Sequence, residues 1–395
     1  MLRRDLIKYF FLTLAFPNLI YSSTQTKRVL IIGSGIVGSC IAYELAKQGV
    51  KVILVDKDSA LVGASQNSFN WINATYPKSP YSYNYLSQLS LTAYQNLHNE
   101  LDFPLQWNGS LEWFLNADDQ KEMIAAVQSL MKYPTSTPHK IIDSKTANLY
   151  EPNVDFAENK NIVHSIADGI VDPEYLISKL HSEITNLGGS IILGCKFINA
   201  EYKNGKLIGA NTSHGKFSID ELVISAGINT NTILNKQYLK KPTPGIIVKS
   251  RPYKKLIDSI IVGPGIHVHQ LKNGVMVIGE QDGAPDNHFE RLKDFPYKFP
   301  NDNFANDHAN RMIDLSSSFI SNIENIKIDK VGIGWRPLPL DGLPIIGYLN
   351  ELPNTYVAVS HSGISLGPLI GKLATEEILF KKSNNLLAKF RPQRF

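Results

Sequence analysis

Residues 27–56, KRVLIIGSGIVGSCIAYELAKQGVKVILVD, carry the pattern that decides the fold. The run from Val29 to Ile32 is apolar without interruption, as a parallel strand that is covered on both faces requires. A glycine-rich turn follows it, and the next segment places Val37, Ile41 and Leu45 on one helical stripe. A second apolar run, KVILV, comes after the helix. The order strand, turn, helix, strand predicts a βαβ unit in an α/β fold.

The turn has the spacing Gly-x-Gly-x-x-Gly, in which each glycine has its own task. Gly33 permits the tight turn, Gly35 lets the backbone approach a pyrophosphate, and Gly38 lets the helix pack closely on the strand. The pyrophosphate would then face the positive end of the helix dipole. Asp56 comes 18 residues after Gly38, where a carboxylate can accept hydrogen bonds from ribose hydroxyls. An ordinary glycine loop does not explain that acid, so we expect dinucleotide binding, with FAD and NAD both open.

Composition sets the class of protein. The chain has 395 residues, 43% of them hydrophobic and 19% charged, which excludes a disordered, collagenous or coiled-coil protein. The length favours two domains, or one large α/β unit with an insertion. The net charge of +4 predicts no nucleic-acid binding, and the basic run 249–255 is expected to be a solvated surface. Cys40 and Cys195 form no CxxC motif, so neither a disulfide framework nor a metal site is predicted.

Residues 1–26 have the features of an export signal. Arg3 and Arg4 precede an apolar stretch of about 12 residues, which is too short for a bilayer span but suits a signal peptide. The arginine pair resembles the twin-arginine signal, although Leu2 and Leu6 depart from its usual residues. We therefore expect a periplasmic or exported protein. A cytoplasmic location and membrane association through this segment are the alternatives.

Four later segments bear on the choice of dinucleotide. The small residues of GASQNS (63–68) can pass close to a phosphate or a flavin ring, and ELVISAG (221–227) is a strand that runs into Ala-Gly. Near the end come VGIGWRPLPLDGLPIIG (331–347) and YVAVSHSGISLGP (356–368), before an expected helix over residues 369–380.

Together these segments resemble the D-amino-acid oxidase superfamily of FAD-dependent oxidoreductases, in particular its glycine oxidase, sarcosine oxidase and D-amino-acid dehydrogenase branch. The similarity runs from Lys27 to Phe380. It implies an α/β fold with a Rossmann-like (GR2-type) FAD-binding domain and a discontinuous α+β substrate domain on an antiparallel sheet. The expected division is 27–76, 160–232 and 330–395 for the FAD-binding domain, and 77–159 and 233–329 for the substrate domain.

The resemblance also implies which residues hold FAD. They lie in the glycine turn, after the second strand, in the segment 63–67, near the adenine on a strand that the resemblance implies over residues 189–197, in the Ala-Gly turn and at the start of the last helix. The implied cofactor-binding residues are Gly33, Ser34, Gly35, Ile36, Val37, Gly38, Asp56, Lys57, Gly63, Ala64, Ser65, Asn67, Phe197, Ala226, Gly227, Ser362, Gly363, Ile364, Ser365 and Leu366. Relatives that attach flavin covalently use a cysteine late in the chain, where this sequence has none, so non-covalent FAD is expected.

Arg336, in Gly-Trp-Arg-Pro, matches the arginine that holds the substrate carboxylate in glycine-oxidase-like members. The alternative is an arginine that pairs with Asp341 to fix the loop. His361 is the second expected catalytic residue, although its Ser-His-Ser-Gly setting is shorter than the family's Gly-His-x-x-x-Gly. His267 and His269 share one strand face and are expected to be ordinary sheet residues.

The resemblance implies oxidation of the C–N bond of a small amino acid or secondary amine, with hydride transfer to flavin N5. An imine would form and hydrolyse to an oxo acid and an amine or ammonia. Oxygen and a quinone are both open as electron acceptor. The alternatives are a dehydrogenase of a hydroxy acid or polyol phosphate, and a flavoprotein subunit that needs a partner chain for turnover.

Overall fold

The structure is a computed structural model that describes residues 27–58, 62–74, 76–133, 139–280, 287–295 and 297–395. The predicted signal segment, residues 1–26, lies outside this part of the chain. The strands are Arg28–Ile32 (β1), Lys51–Val55 (β2), Trp71–Ile72 (β3), Leu105–Gln106 (β4), Ser110–Glu112 (β5), His139–Ile142 (β6), Ile162–Ser165 (β7), Gly169–Val171 (β8), Ser190–Ile192 (β9), Phe197–Lys203 (β10), Lys206–Thr212 (β11), Gly215–Phe217 (β12), Glu221–Ile224 (β13), Thr243–Ser250 (β14), Ile260–Gly263 (β15), Ile266–Gln270 (β16), Met276–Glu280 (β17), Ile328–Arg336 (β18), Ile345–Tyr348 (β19) and Thr355–Val359 (β20). The α-helices are Ile36–Lys47 (α1), Tyr81–Leu101 (α2), Ala117–Leu130 (α3), Ser144–Tyr150 (α4), Pro173–Asn186 (α5), Thr230–Leu234 (α6), Asn287–Leu292 (α7), Asp302–Ser317 (α8) and Gly363–Phe380 (α9).

A six-stranded sheet in the order β19-β20-β13-β1-β2-β9 forms the first layer. Its strands run parallel except β19, which is antiparallel to β20. Val29 and Ile31 pack with α1, α2, α5 and α9, while Leu30 and Ile32 pack with the small sheet β10-β11-β12 on the other face. Both faces of β1 are covered, so the side chains from Val29 to Ile32 do not face water. This burial explains why that run is apolar without interruption.

An eight-stranded sheet in the order β18-β14-β17-β16-β15-β5-β7-β6 forms the second unit. The pairing is antiparallel except between β15 and β5. Helix α8 covers one face, where Met312 joins Val248, Val268 and Ile278 in one apolar cluster. The hairpin β16-β17 turns at Asn273-Gly274, a dipeptide that is typical of such turns, and Gly274 has a φ of +88°. The mixed α/β architecture of the whole agrees with the predicted fold class.

Sheet membership differs from the predicted division of the chain at two places. Strands β7 and β18 hydrogen-bond in the eight-stranded sheet, although residues 160–165 and 330–336 were expected in the FAD-binding domain. The sheet to which a strand belongs depends on its pairing partners, here β5 for β7 and β14 for β18. These partners are distant in sequence, so a local pattern does not predict them. None of the described helices is both long enough and apolar enough to span a bilayer.

Two element boundaries also differ from the predictions. The apolar run 189–197 is not one strand: Gly194, at a φ of +72°, turns the chain between β9 and β10, which belong to different sheets. The last helix begins at Gly363 instead of residue 369. Gly367 and Gly371 face α1, and a Cβ at Gly371 would lie 2.9 Å from the Cys40 carbonyl oxygen. The two helices therefore pack at close range and bring their N-termini to one edge of the sheet.

Candidate active site

A cavity of about 1220 Å³ lies between the two large sheets and is lined by residues of both. Pockets for a drug-sized ligand usually measure about 300 to 1,000 Å³, so this one has room for more than one small molecule. It brings together most of the residues predicted from the sequence. Those on its wall are Gly33, Ser34, Gly35, Ile36, Val37, Asp56, Lys57, Gly63, Ala64, Ser65, Asn67, Phe197, Ala226, Gly227, Arg336, His361, Ser362, Gly363, Ile364 and Ser365.

Two predicted residues are not on the wall. Gly38 lies behind the glycine turn, where a Cβ would overlap the Gly33 carbonyl oxygen and the Ser225 hydroxyl. Its absence of a side chain thus serves helix packing, as its position in the motif predicts. Leu366 is fully buried in the core of the first layer, and its amide donates to the Ser362 carbonyl at 2.9 Å. That amide is therefore already used within the helix and does not point at the cavity.

The glycine turn is shaped by the residues that directly follow β13. Gly33 has a φ of +104°, and a Cβ there would overlap the Ser225 carbonyl. Helix α1 then begins at Ile36 without a side-chain cap, and the Ile36 amide donates to the Ser65 hydroxyl at 3.1 Å. The open end of this 12-residue helix faces the cavity and favours a negatively charged group there.

Asp56 is held at the end of β2 by three donors. Its Oδ2 accepts from the Ser34 amide at 2.7 Å and from the Ser34 hydroxyl at 2.9 Å, and its Oδ1 accepts from the Asp58 amide at 3.1 Å. The neighbouring Lys57 points to Asp58 and to the Tyr297 hydroxyl, with Nζ to oxygen distances of 3.0 and 2.8 Å. The acid is therefore oriented toward the turn and remains at the cavity wall.

Helix α9 brings a second open N-terminus to the cavity. Its first turn is fixed from outside, because Pro368 has no amide to donate to the Ile364 carbonyl. The Tyr94 hydroxyl donates to that carbonyl instead, and the Ser90 hydroxyl donates to the Ser365 carbonyl. Hydrogen bonds from α2 thereby set the position of the backbone at residues 362–365.

The segment 63–68 crosses β18 at very short range. A Cβ at Gly332 would overlap the Asn67 side chain, and one at Gly334 would overlap the Asn67 carbonyl. The two glycines of VGIGW thus admit the loop that lies beside the glycine turn. Sequence reasoning did not assign them this role, although their alternate spacing on one strand face is a usable signal.

Arg336 ends β18 at the cavity wall, with its guanidinium largely buried. Its Nε has no hydrogen-bond partner among the described residues. Burial lowers the pKa of the guanidinium below its ordinary value. The alternative role as a loop clamp on Asp341 is wrong, because Asp341 accepts from Arg394 at 2.6 and 3.0 Å. Arg336 is therefore a cation without a protein carboxylate in this loop.

Two histidines lie near this arginine. His361 and His267 both line the cavity, whereas His269 is fully buried, with Nε2 2.9 Å from the Phe69 carbonyl oxygen. Burial, together with the nearby charges of Arg336 and Lys78, lowers the pKa of His361 to about 4. Burial, with His269 and Arg336 close by, lowers the pKa of His267 to about 3. Both rings are neutral at pH 7.

Lys78 and Glu112 are among the ionisable wall residues that sequence reasoning missed. The Lys78 ammonium donates to the backbone carbonyl and the side-chain oxygen of Asn73 at 2.8 and 3.2 Å. Burial lowers its pKa to about 8, against the opposing effect of Asp168. Glu112 stands in an otherwise apolar strand segment, SLEWF, and such an isolated charge is the signal that could have revealed it.

Residues 28–377 match the DAO family of FAD-dependent oxidoreductases. The chain belongs to this family. It is 23% identical over 384 residues, 94% of its length, to the bifunctional protein ThiO/ThiG of Synechocystis. It spans about half the length of the first curated relatives that it matches, 54% and 50%.

The same fold occurs in solved structures of the family. Glycine oxidase from Geobacillus kaustophilus superposes with a TM-score of 0.81 at 21% identity, covering 94% of this chain and 100% of that one. The L-alpha-glycerophosphate oxidase of Mycoplasma pneumoniae, solved with FAD bound, gives 0.75 at 18% identity, covering 91% and 97%. At this level of identity the likeness shows the fold.

The described residues fit an FAD of the kind the family uses. Two helix N-termini face one cavity, and the glycine turn before α1 lies on its wall, where a pyrophosphate would meet the N-terminus of that helix. Asp56 offers carboxylate oxygens for a ribose, and the backbone of residues 362–365 offers amides for a polar ring edge. Neither Cys40 nor Cys195 lines the cavity, since both are buried elsewhere.

Proposed function

We propose that this chain oxidises the C–N bond of a small amino acid or secondary amine with a non-covalently bound FAD. The observation that carries the proposal is Arg336, a buried guanidinium on the cavity wall whose Nε lacks a partner among the described residues. Bound FAD would supply the hydride acceptor, at its N5 atom. The resulting imine hydrolyses to an oxo acid and an amine or ammonia.

Arg336 positions the substrate in this proposal. A guanidinium binds a carboxylate through two parallel hydrogen bonds, which fixes both the location and the orientation of the amino acid. Such positioning places the Cα–H bond for transfer, and orientation of this kind accounts for a large part of catalytic rate. The buried setting strengthens the attraction, because little water screens it.

No protein group needs to act as general base when the substrate amine enters neutral. His267 and His361, whose low pKa values keep them neutral at pH 7, can accept or donate a hydrogen bond to the substrate without carrying charge. We assign His361 a contact with the substrate, since it lies near Arg336 at the start of α9. The protein thus binds and orients, while the redox chemistry belongs to the cofactor.

Two other functions are each supported by one similarity to a known protein. Oxidation of a hydroxy acid or polyol phosphate is favoured by the likeness to a glycerophosphate oxidase, and Arg336 would serve either anion. A flavoprotein subunit that needs a partner chain is favoured by the 20% identity to one subunit of the opine oxidase of Agrobacterium tumefaciens. Oxygen and a quinone are the proposed alternatives for the electron acceptor.

Export through residues 1–26 stays a proposal, tested by determining the N-terminus of the secreted protein.

Anaerobic reduction of the purified flavoprotein tests the proposed function. D-, L- and N-methyl amino acids are mixed with the protein in turn, and flavin absorbance is followed. We expect at least one amino acid or secondary amine to bleach the flavin. Bleaching by glycerol phosphate or a hydroxy acid and by no amine would overturn the substrate class, and no bleaching by any of them would indicate a subunit that needs its partner.

A further inference from the structure

Glu112 is a buried acid on the wall of the active-site cavity. It is 5% exposed and lines the cavity at the end of β5. Its neighbours Leu111 and Trp113 point to the opposite face, where they belong to the apolar core beneath the sheet. This alternation is the normal period of a strand, so the backbone aims Glu112 into the cavity.

No described residue forms a hydrogen bond or an ion pair with the Glu112 carboxyl group. Its cross-strand neighbours are Val262 on β15 and Val163 on β7, both buried and apolar. Burial, with a smaller contribution from Asp168, raises the pKa of Glu112 to about 8. A buried carboxyl group without donors is costly, and proteins seldom retain one without a function.

Other acids near this place have their own partners. Asp168 accepts from the Ser110 hydroxyl at 2.8 Å and from the Trp71 indole at 3.0 Å. Glu280, also on the cavity wall, forms an ion pair with Arg311, although its carboxylate oxygens accept no hydrogen bond from the described residues. Glu112 differs from both because it has neither an ion pair nor a hydrogen bond with a described residue and faces the cavity that the substrate would occupy.

The register of the large sheet relates Glu112 to the arginine. Glu112 lies opposite Val262, and Val262 lies opposite His267, so all three are on the same face in one cross-strand row. Glu112 and His267 are two strand spacings apart, about 10 Å. His267 in turn lies close enough to Arg336 for its pKa to respond to that charge. Arg336 is on β18, three strands beyond the strand of His267, so a carboxyl group and a guanidinium border one cavity at a separation that glycine would not span.

We propose that Glu112 binds a cationic group at the far end of the substrate side chain, so that the preferred substrates are amino acids that end in an amino or guanidino group. The inference rests on the proposed function, which supplies the carboxylate at Arg336, and it replaces a small side chain by an extended basic one. A guanidinium would give the carboxylate two hydrogen bonds and a counter-charge. In the low-dielectric wall between two valines, an apolar side chain could offer neither, and a neutral amide or urea could offer hydrogen bonds without the counter-charge.

Binding of two analogues without an α-amine tests the inference independently of turnover. The probes are 5-guanidinovalerate and valerate, which share the carboxylate and differ in the cation, and the readout is the change in the visible flavin spectrum. We expect the wild-type protein to bind guanidinovalerate about tenfold to a hundredfold more tightly. In Glu112→Gln the two affinities should become nearly equal. Equal affinities in the wild type, or an unchanged preference in the variant, would overturn the inference.

Turnover provides the second measurement. Arginine is compared with citrulline, its neutral near-isostere, in both enantiomers, and kcat/KM is determined for wild type, Glu112→Gln and the control Glu280→Gln. We expect a preference for arginine that Glu112→Gln removes mainly through KM, while norvaline is oxidised as in the wild type. Glu280→Gln should keep the preference. A loss in Glu280→Gln alone, or an equal loss for arginine and norvaline in Glu112→Gln, would contradict the assignment.

Two outcomes separate this inference from the proposed function. If no amine reduces the flavin, the proposed function fails, and Glu112-dependent binding of guanidinovalerate then still decides whether the cation site exists. If amines are oxidised without regard to a distal charge, only the inference fails. Glu112→Asp, which keeps the charge on a shorter side chain, should retain part of the preference and guards against misfolding of the glutamine variant.

Discussion

At the scale of single residues, the cavity holds ionisable groups that the fold leaves without partners. Arg336 meets no carboxylate in its loop, and Glu112 meets no donor among the described residues. Groups of this kind destabilise the folded chain by themselves, because water no longer solvates them. Their retention is understandable if a ligand restores the missing partners, which makes them the most informative positions for mutation.

Replacing Arg336 by alanine should weaken the use of amino acids. Hydrogen bonds between charged groups contribute about 1.5 to 3 kcal/mol, so kcat/KM should fall by roughly tenfold to more than a hundredfold. Arg336→Lys should recover part of the loss, because it keeps the charge without the planar fork. The control is the methyl ester of the same amino acid, for which the variants should differ little. An unchanged kcat/KM for the free acid in Arg336→Ala would remove the carboxylate role.

Glu112 should make the stability of the protein fall as the pH rises. Its pKa is about 8 in the folded protein and near 4.5 when the chain is unfolded, so the folded state holds a proton that the unfolded chain releases between these values. Glu112→Gln removes this cost. Relative to wild type, the variant should gain up to a few kcal/mol in free energy of unfolding between pH 5 and pH 8.5.

Urea denaturation at the two pH values, with FAD in constant excess, measures that gain. The surface variant Glu122→Gln is the control and should follow the wild type at both. If Glu112→Gln shows the same difference from wild type at pH 5 and at pH 8.5, the carboxyl group is not the buried, unpaired acid described above.

At this scale the sequence predicts what a motif marks and misses what only packing creates. Gly33, Asp56 and Arg336 lie in recognisable patterns, and all three reach the cavity wall. Glu112 and Lys78 belong to no motif, and their burial depends on strands and loops that meet from distant parts of the chain. A local sequence pattern does not predict such contacts between distant segments.

At the scale of elements, helix α9 is unusual in carrying Pro368 in its second turn. The proline leaves the Ile364 carbonyl without its helical donor, and the Tyr94 hydroxyl from α2 takes that place. The backbone that borders the cavity at residues 362–365 thus depends on α2. The same proline would make a sequence reader start the helix after it, which explains the late boundary predicted at residue 369.

A double-mutant cycle tests this exchange of donors. Tyr94→Phe should lower the free energy of unfolding by about 1 to 3 kcal/mol, because it leaves a buried carbonyl unsatisfied. Pro368→Ala restores an amide at the right position, so the same tyrosine change should cost less in that background. Chemical denaturation of the four proteins gives the coupling energy. Equal costs in both backgrounds would mean that Tyr94 does not replace the missing donor.

At the scale of the whole molecule, His267 and His269 should make the protein sensitive to mild acid. Burial lowers the pKa of His267 and of His269 to about 3, whereas the unfolded chain titrates near 6.5. The unfolded state therefore binds more protons as the pH falls from about 6.5. Each histidine should cost up to about 2 kcal/mol of stability at pH 5.

Unfolding free energies at pH 7.5 and pH 5 check this expectation. The wild type should be less stable at pH 5, and His269→Gln should reduce the difference between the two values. The exposed His214 offers the matched control, because His214→Gln should leave the difference as it is. Equal stability of the wild type at both values would show that these rings do not stay neutral.

The overall architecture could be predicted from the first βαβ unit and the late segments, whose local signals are strong. The division into two units could be predicted only in outline. Strand β18 runs from the large sheet into the loop before β19, so one continuous stretch serves both units. Such a junction depends on hydrogen bonds to β14, more than eighty residues away, which sequence spacing does not encode.

Titration of the deflavinated protein with FAD is the most direct test that the two sheets enclose one flavin. Quenching of flavin fluorescence should saturate at one FAD per chain, and denaturation in acid should release the flavin into solution, as non-covalent binding requires. A protein that is purified colourless and takes up no flavin when it is offered would contradict the assignment of the cavity.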